Sequence, residues 1–364
     1  MTPPFRLTDS TLRDGSHAVA HQYTLAQVTD IVAGLDAAGV PVIEVSHGDG
    51  LGGSSFNYGF SGTDEMQLIA RAVQTAKRAR IACLLLPGIG TVTDLAAIAD
   101  LGVSVARIAT HCTEADIAQQ HIGMAKKLGM EAVGFLMMSH MLAPEELLAQ
   151  ARLMQDFGAD VVYCVDSAGA LTIPAARDRV AALVDGLDIG VGMHAHENLS
   201  LSVAISLAAL EAGATHIDGC SAGAGAGAGN CPTETLVTVC QKMGIETGME
   251  ALALMDVAQD VVRPALRRPQ VVDRAALTLG LAGVYGSFML HAERAALRYG
   301  VSQAEILLEL GRRKAVGGQE DMIIDVALEL AARNAAGPSM AGQSVAVSGV
   351  AGPGALGPSA EAST

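Results

Sequence analysis

Residues 157–167 read Phe157-Gly158-Ala159-Asp160-Val161-Val162-Tyr163-Cys164-Val165-Asp166-Ser167. A glycine closes a helical stretch, a short β-branched and aromatic run follows, and polar groups end it. That is the order of a helix C-cap, a buried parallel strand and the rim of its sheet. The same punctuation recurs at Ala38-Gly39-Val40, Leu101-Gly102-Val103, Leu128-Gly129-Met130 and Ala212-Gly213-Ala214. Working outward, β-rich runs occupy Phe5–Thr8, Val42–Val45, Ile81–Leu86, Val105–Ala109, Ala132–Met137, Val161–Val165, Ile189–Met193 and His216–Ile217, with a helix-compatible segment between each pair. Alternating strands and helices also fit a doubly wound sheet. Eight of them, spaced by roughly 25 to 40 residues, predict an α/β fold of the (β/α)8 TIM barrel type.

The barrel is assigned to residues 1–263. Beyond about residue 245 the strand signal stops, and helical patterns cover Met249–Arg263, Asp273–Gly300 and Ser302–Arg333. Pro264 and Pro269 mark the boundary of a small helical C-terminal subdomain, 264–334. The Ala, Gly, Ser and Pro composition of 335–364 predicts a disordered tail without chemistry.

Composition removes several functions. A formal net charge of -15 on 364 residues argues against a nonspecific nucleic-acid or anionic-membrane binder. No long apolar run or basic leader is seen, so a soluble, cytoplasmic protein is expected. The six cysteines form no C-x-x-C pair and are expected as free, mostly buried thiols in a reducing compartment.

In such a barrel the active site lies where strands end. Arg13 and Asp14 follow the first run, Asp166 and Ser167 end the sixth, and His194 and His196 end the seventh. Two imidazoles at i, i+2 with a carboxylate form a three-ligand set that leaves room for a bidentate substrate; it favours Mn or Mg and is compatible with Zn, Co or Fe. Asp14 is the preferred ligand. Asp9, read as the end of the first strand, is either a ligand or a support that orients Arg13 or a ligand. Arg13 either faces developing charge or serves only as a salt-bridge partner, and His17 offers an acid/base beside the metal. The five lysines, Lys77, Lys126, Lys127, Lys242 and Lys314, all fall in expected helices or the C-terminal subdomain. A Schiff-base mechanism, which needs a rim lysine, is therefore disfavoured. The run Ala222–Asn230, alternating Ala and Gly, is either a phosphate cradle or close packing, and no basic residue accompanies it.

Asp9-Ser-Thr-Leu-Arg-Asp-Gly resembles the signature of metal-dependent barrel lyases and synthases. With Ser16-His17, Glu44-Val-Ser-His-Gly-Asp-Gly-Leu-Gly-Gly-Ser-Ser-Phe-Asn-Tyr-Gly, Arg107-Ile-Ala-Thr-His-Cys-Thr-Glu-Ala-Asp, His194-Ala-His-Glu-Asn and Gly317-Gly-Gln-Glu-Asp, the chain resembles the 4-hydroxy-2-oxovalerate aldolases over residues 5 to 333. The resemblance implies that Asp14, His194 and His196 hold a metal, usually Mn2+, with Mg2+ or Co2+ as substitutes. It implies His17 as general base for the C4 hydroxyl, Arg13 as stabiliser of a pyruvate enolate, and Tyr285 and Ser167 as substrate-positioning groups. Leu84 and Leu86 would limit the aldehyde pocket or simply fill the barrel.

The implied reaction is retro-aldol cleavage of 4-hydroxy-2-oxovalerate, or a homologue such as 4-hydroxy-2-oxohexanoate, in aromatic or sterol ring degradation. The implied partner is an acylating acetaldehyde dehydrogenase that receives the aldehyde by channelling, with Gly317 and Gly318 near the contact and an aldolase dimer within the assembly. Gly286 and the small residues of the Ala-Gly run depart from the usual pattern. The alternative is a Claisen-type acyl-CoA synthase or lyase of the same superfamily.

Overall fold

The computed structural model describes residues 5–335; the expected tail falls almost wholly outside them. Eight parallel strands close a barrel in sequence order: β1 (Arg6–Leu12), β2 (Val42–Val45), β3 (Arg80–Leu85), β4 (Val105–His111), β5 (Glu131–Met137), β6 (Val161–Asp166), β7 (Gly190–Ala195) and β8 (His216–Gly219). The helices α1 (Leu25–Ala37), α2 (Glu65–Thr75), α3 (Val92–Asp100), α4 (Gln119–Lys127), α5 (Pro144–Asp156), α6 (Ile173–Gly186), α7 (Ser202–Glu211) and α8 (Thr233–Lys242) surround it. The glycines of the repeated punctuation, Gly39, Gly102, Gly129, Gly158 and Gly213, all have positive φ just after a helix, as C-terminal caps require.

A two-residue period sorts the strand side chains. Leu7, Ile43, Cys83, Ile108, Leu136, Val162, Met193 and Ile217 point outward into the layer shared with the helices. Val42, Leu84, Val105, Ala109, Val133, Phe135, Tyr163 and Val165 fill the barrel interior. Glu44, Arg107, His194 and Asp218 share the inward parity and are also buried. Below them, Arg6 and Arg80 both pair with Glu131 at the N-terminal end of the strands.

Three expectations need correction. β1 continues past Thr8 to Leu12, because Asp9 still pairs with both β2 and β8 and the pairing with β2 resumes at Leu12 after a bulge; Asp9 is therefore inside the strand. The long helical patterns after residue 273 are broken. α10 (Arg274–Ala282) ends at Gly283 with φ 64°, α11 (Phe288–Tyr299) and α12 (Gln303–Arg312) follow, and a loop precedes α13 (Met322–Ala335). Lys77 lies just after α2, before β3, rather than in a helix.

Between barrel and subdomain, α9 (Ala251–Asp256) runs into a π-helical turn, Val257–Val262. α10 to α13 enclose a core of their own around Leu279, Phe288, Ile306, Leu310, Ile323 and Val326. No helix among the described residues is long and apolar enough to cross a membrane.

Candidate active site

β7 delivers His194 inward, and His196, of the same parity, lies just past the strand end. Asp14 opens a 3-10 turn (Asp14–Val19) after β1. The Nε2 atoms of His194 and His196 each lie 3.6 Å from Asp14 Oδ2. One ligand atom from each of the three falls within 4.8 Å of the others. His194 Nδ1 lies 2.7 Å from Asp218 Oδ2. With Nδ1–H donating to that carboxylate, the Nε2 lone pair faces Asp14, the arrangement by which carboxylates orient metal-binding histidines.

Asp14 is held from both sides. Arg13 Nη1 donates to Oδ2 at 2.7 Å and Asn230 Nδ2 to Oδ1 at 2.8 Å. Burial alone would raise the Asp14 pKa, but Arg13 and the two imidazoles hold it well below the usual carboxylate range. His196 is pushed down to about 4, by burial first and then by His194 and Arg13 against the pull of Asp14. His194 moves the other way: burial would lower it, yet Asp14 and Asp218 together raise it.

Those contacts belong to a closed ring. Arg13 Nε donates to Glu44 Oε2 at 2.7 Å, and Arg107 Nη1 lies 3.0 Å from Glu44 Oε1. Arg107 Nη2 donates to Asp218, which returns to His194 and so to Asp14. The Arg107 guanidinium lies 4.5 Å from the Phe135 ring centroid and 4.7 Å from that of Tyr163. Three carboxylates (Asp14, Glu44, Asp218) against two guanidiniums (Arg13, Arg107) leave one formal negative charge in a water-poor space. A proton on His194 neutralises it, and a divalent cation held by the same donors would make the site positive toward an anionic ligand, so this donor set fits a divalent metal. Arg13 Nη2 is buried and has no hydrogen-bond partner among the described residues. That donor is available to an anionic ligand.

The other expected site residues are placed as follows. His17 is half-buried on the 3-10 turn, its ring edge-on to His21 at 4.9 Å. Ser167, just beyond β6, accepts the Met138 amide at 3.1 Å. Tyr285 lies in the loop between α10 and α11, not on a helix as expected; it is half-buried and packs against the barrel core. In that loop, a Cβ on Gly286 would stand 3.9 Å from Ala226 of the glycine run. Leu84 is buried in the barrel interior and Leu86 packs against it.

Asp9 orients neither Arg13 nor a ligand. It accepts from the Thr11 amide, Ser221 Oγ and Thr233 Oγ1, tying β1 to the segment after β8. The orienting is done by Glu44, Asp218 and Asn230, which the sequence reading left without roles. A charge at inward parity within an apolar strand was the available signal for Glu44, Arg107 and Asp218. Asn230 had none, since its place depends on the glycine run folding back. A Cβ on Gly229 would lie 1.8 Å from Gly223 O, and one on Gly225 2.2 Å from Asn230 Nδ2. The run is close-packed against Asp14.

A family profile described as HMGL-like matches residues 4–261, the whole barrel. The chain belongs to the HMGL-like family. A second profile, the DmpG-like communication domain, matches residues 270–332 beyond the HMGL-like barrel. Among curated relatives, "4-hydroxy-2-oxovalerate aldolase 1" of Nocardia farcinica is 61% identical over 327 residues, covering 89% of this chain and 95% of its own. The "4-hydroxy-2-oxovalerate aldolase" of Carboxydothermus hydrogenoformans is 57% identical over 334 residues, covering 92% and 99%. The carboxyl transferase domain of Rhizobium etli pyruvate carboxylase superposes with a TM-score of 0.76 at 16% identity, covering 91% of this chain and 60% of that one, which is a likeness of fold.

In this HMGL-like barrel the Asp218 carboxylate lies against His194 Nδ1, where it favours a proton on that nitrogen. Asp218→Asn is expected to weaken divalent-metal binding by about 10- to 100-fold, measured by equilibrium dialysis. Unchanged affinity would show that the His194 ring is oriented without it.

Proposed function

We propose that the chain is a class II pyruvate aldolase, cleaving 4-hydroxy-2-oxovalerate to pyruvate and acetaldehyde, or 4-hydroxy-2-oxohexanoate to pyruvate and propanal. The observation that carries this reading is the buried, unpartnered Nη2 of Arg13 beside the donor set of two imidazoles and one carboxylate. The names of relatives at 57 to 61% identity support it. Asp14, His194 and His196 hold the metal, Mn2+ in the first instance with Mg2+ or Co2+ as substitutes; when bound it supplies Lewis-acid polarisation of the substrate's carboxylate and 2-oxo group.

His17 takes the proton from the C4 hydroxyl. The C3–C4 bond breaks, the aldehyde leaves, and its bonding electrons pass to the pyruvate enolate, which later takes a proton at C3. Arg13, fixed by Glu44 and Asp14, presents Nη2 where the enolate charge develops, a preorganised donor in a low-dielectric site. Ser167 lies near the substrate carboxylate and Tyr285 positions the substrate; burial pushes its phenol pKa further up. Leu84 and Leu86 bound the space for the aldehyde.

The barrel, residues 1–263, carries this chemistry, and the helical subdomain, 264–334, contacts an acylating acetaldehyde dehydrogenase that receives the aldehyde. The match to a communication domain over 270–332 supports that partnership and weighs against an acyl-CoA enzyme. Six free, buried thiols support a reducing, cytoplasmic setting. Protein stripped of metal is expected to lose pyruvate release and regain it when Mn2+ is added. Full activity in the stripped protein overturns the mechanism, and release of thiol from an acyl-CoA in place of pyruvate overturns the substrate class.

A further inference from the structure

A second donor set lies beside the first. One ligand atom each from His17, His21 and Asp49 falls within 4.8 Å of the others, the same two-imidazole, one-carboxylate composition as Asp14, His194 and His196. The chain goes to unusual lengths to bring His21 there: Ala20 and His21 both adopt left-handed backbone, φ 51° and 60°, with the His21 amide donating to Ser16 O at 2.8 Å. Ser16 Oγ engages His21 Nδ1 at 3.2 Å, and the ring also faces the Tyr58 carbonyl, a contact that an ion on the imidazole would replace. His47 stacks on His21 at 3.8 Å but is occupied itself. Its Nδ1 accepts the Asp49 amide, and its Nε2 is 3.0 Å from Gly59 O. At Gly48 a Cβ would stand 2.6 Å from His17 Nε2 and 2.7 Å from His21 Cε1, so the absent side chain keeps the space between the two imidazoles clear.

We propose that His17, His21 and Asp49 form a second, weaker binding site for a divalent transition-metal ion of the Zn2+ class, and that an ion bound there inhibits the enzyme by occupying His17. The inhibitory part rests on the reading of His17 as the base; the binding part does not. The two sites differ in preparation. Asp14 and His194 are buried and held by Arg13, Asn230 and Asp218, whereas His17 and Asp49 are only half-buried and sit on loops after β1 and β2. Poorer preorganisation makes the second site fill at higher metal concentration. Two imidazoles and a carboxylate suit Zn2+ or Co2+, with water completing a four-coordinate shell. Once the imidazole lone pair is donated to an ion it accepts no proton, so excess metal stops the reaction that one equivalent supports.

The test uses the full chain, stripped of metal, in equilibrium dialysis with Zn2+, and Co2+ titrations followed by the visible absorption of the bound ion. Wild type is expected to bind two ions per chain, one tight and one weak. Asp49→Asn keeps only the tight ion, and Asp14→Asn keeps the weak one. In the Mn2+-loaded enzyme, Asp49→Asn is expected to show wild-type kcat without Zn2+ and to need about tenfold or more Zn2+ for half inhibition. A single ion per wild-type chain, or an Asp49→Asn protein that titrates like wild type, overturns the site. Two ions without any pyruvate release would leave the site standing and overturn the aldolase reading.

Discussion

His17→Ala is expected to lower kcat for pyruvate release by roughly 100-fold or more, the usual cost of losing a positioned general base, while the tight metal site keeps its affinity. The separation follows from the geometry. Asp14 and His194 are held by Arg13, Asn230 and Asp218, His196 faces Asp14, and none of those contacts passes through His17. Removing the imidazole thus takes away proton transfer and leaves the metal shell. Added imidazole should recover part of the rate, which a purely structural defect would not allow. A near-wild-type kcat would make His17 a bystander.

Arg107→Leu should be the most damaging single change to the fold among the site residues. Arg107 and its partners Glu44 and Asp218 are 1%, 0% and 1% exposed, so the substitution removes the cation the two carboxylates share in the barrel interior and leaves Glu44 to Arg13 and Asp218 to His194. Breaking a buried ion pair from one side costs about 3 to 5 kcal/mol, and here one residue serves two partners. The measurable result is a large drop in the denaturant midpoint, accompanied by weakened metal binding through the loosened Asp218. If the loss arises from stranded charge rather than from lost packing between Phe135 and Tyr163, adding Glu44→Gln to Arg107→Leu should recover part of it, and the double-mutant cycle reads that coupling. A wild-type midpoint for Arg107→Leu would show that the ring carries no such weight.

The barrel was legible because its signal is repetitive: helix, glycine, β-branched run, polar end. Strand ends were harder. Parallel pairing carries β1 through Asp9 and, past a bulge, to Leu12, whereas a reading based on hydropathy stops before the polar run Asp9-Ser10-Thr11. The rim groups Arg13, Asp14, His194 and His196 could be found because each lies at or just past the end of a strand. What supports them comes from distant segments, such as Asn230 reaching Asp14 and Arg107 joining β2 to β8. Spacing along the chain says nothing of such partnerships. The helical subdomain was read as longer helices than it has, because apolar periodicity continues across Gly283, where the backbone turns left-handed.

All six cysteines are free and buried, and burial pushes the Cys112, Cys164 and Cys231 thiols up to about 12. In the folded state a thiolate-seeking reagent therefore meets almost no target, and each sulfur becomes reactive only when its surroundings open. The six sit between Cys83 on β3 and Cys240 on α8, while residues 264–335 contain none. The barrel thus carries its own chemical clock and the helical subdomain is silent to it. Timed thiol labelling followed by peptide mapping would show which part of the barrel wall breathes first, with no added probe, and partner docking could be scored by which of those openings it slows.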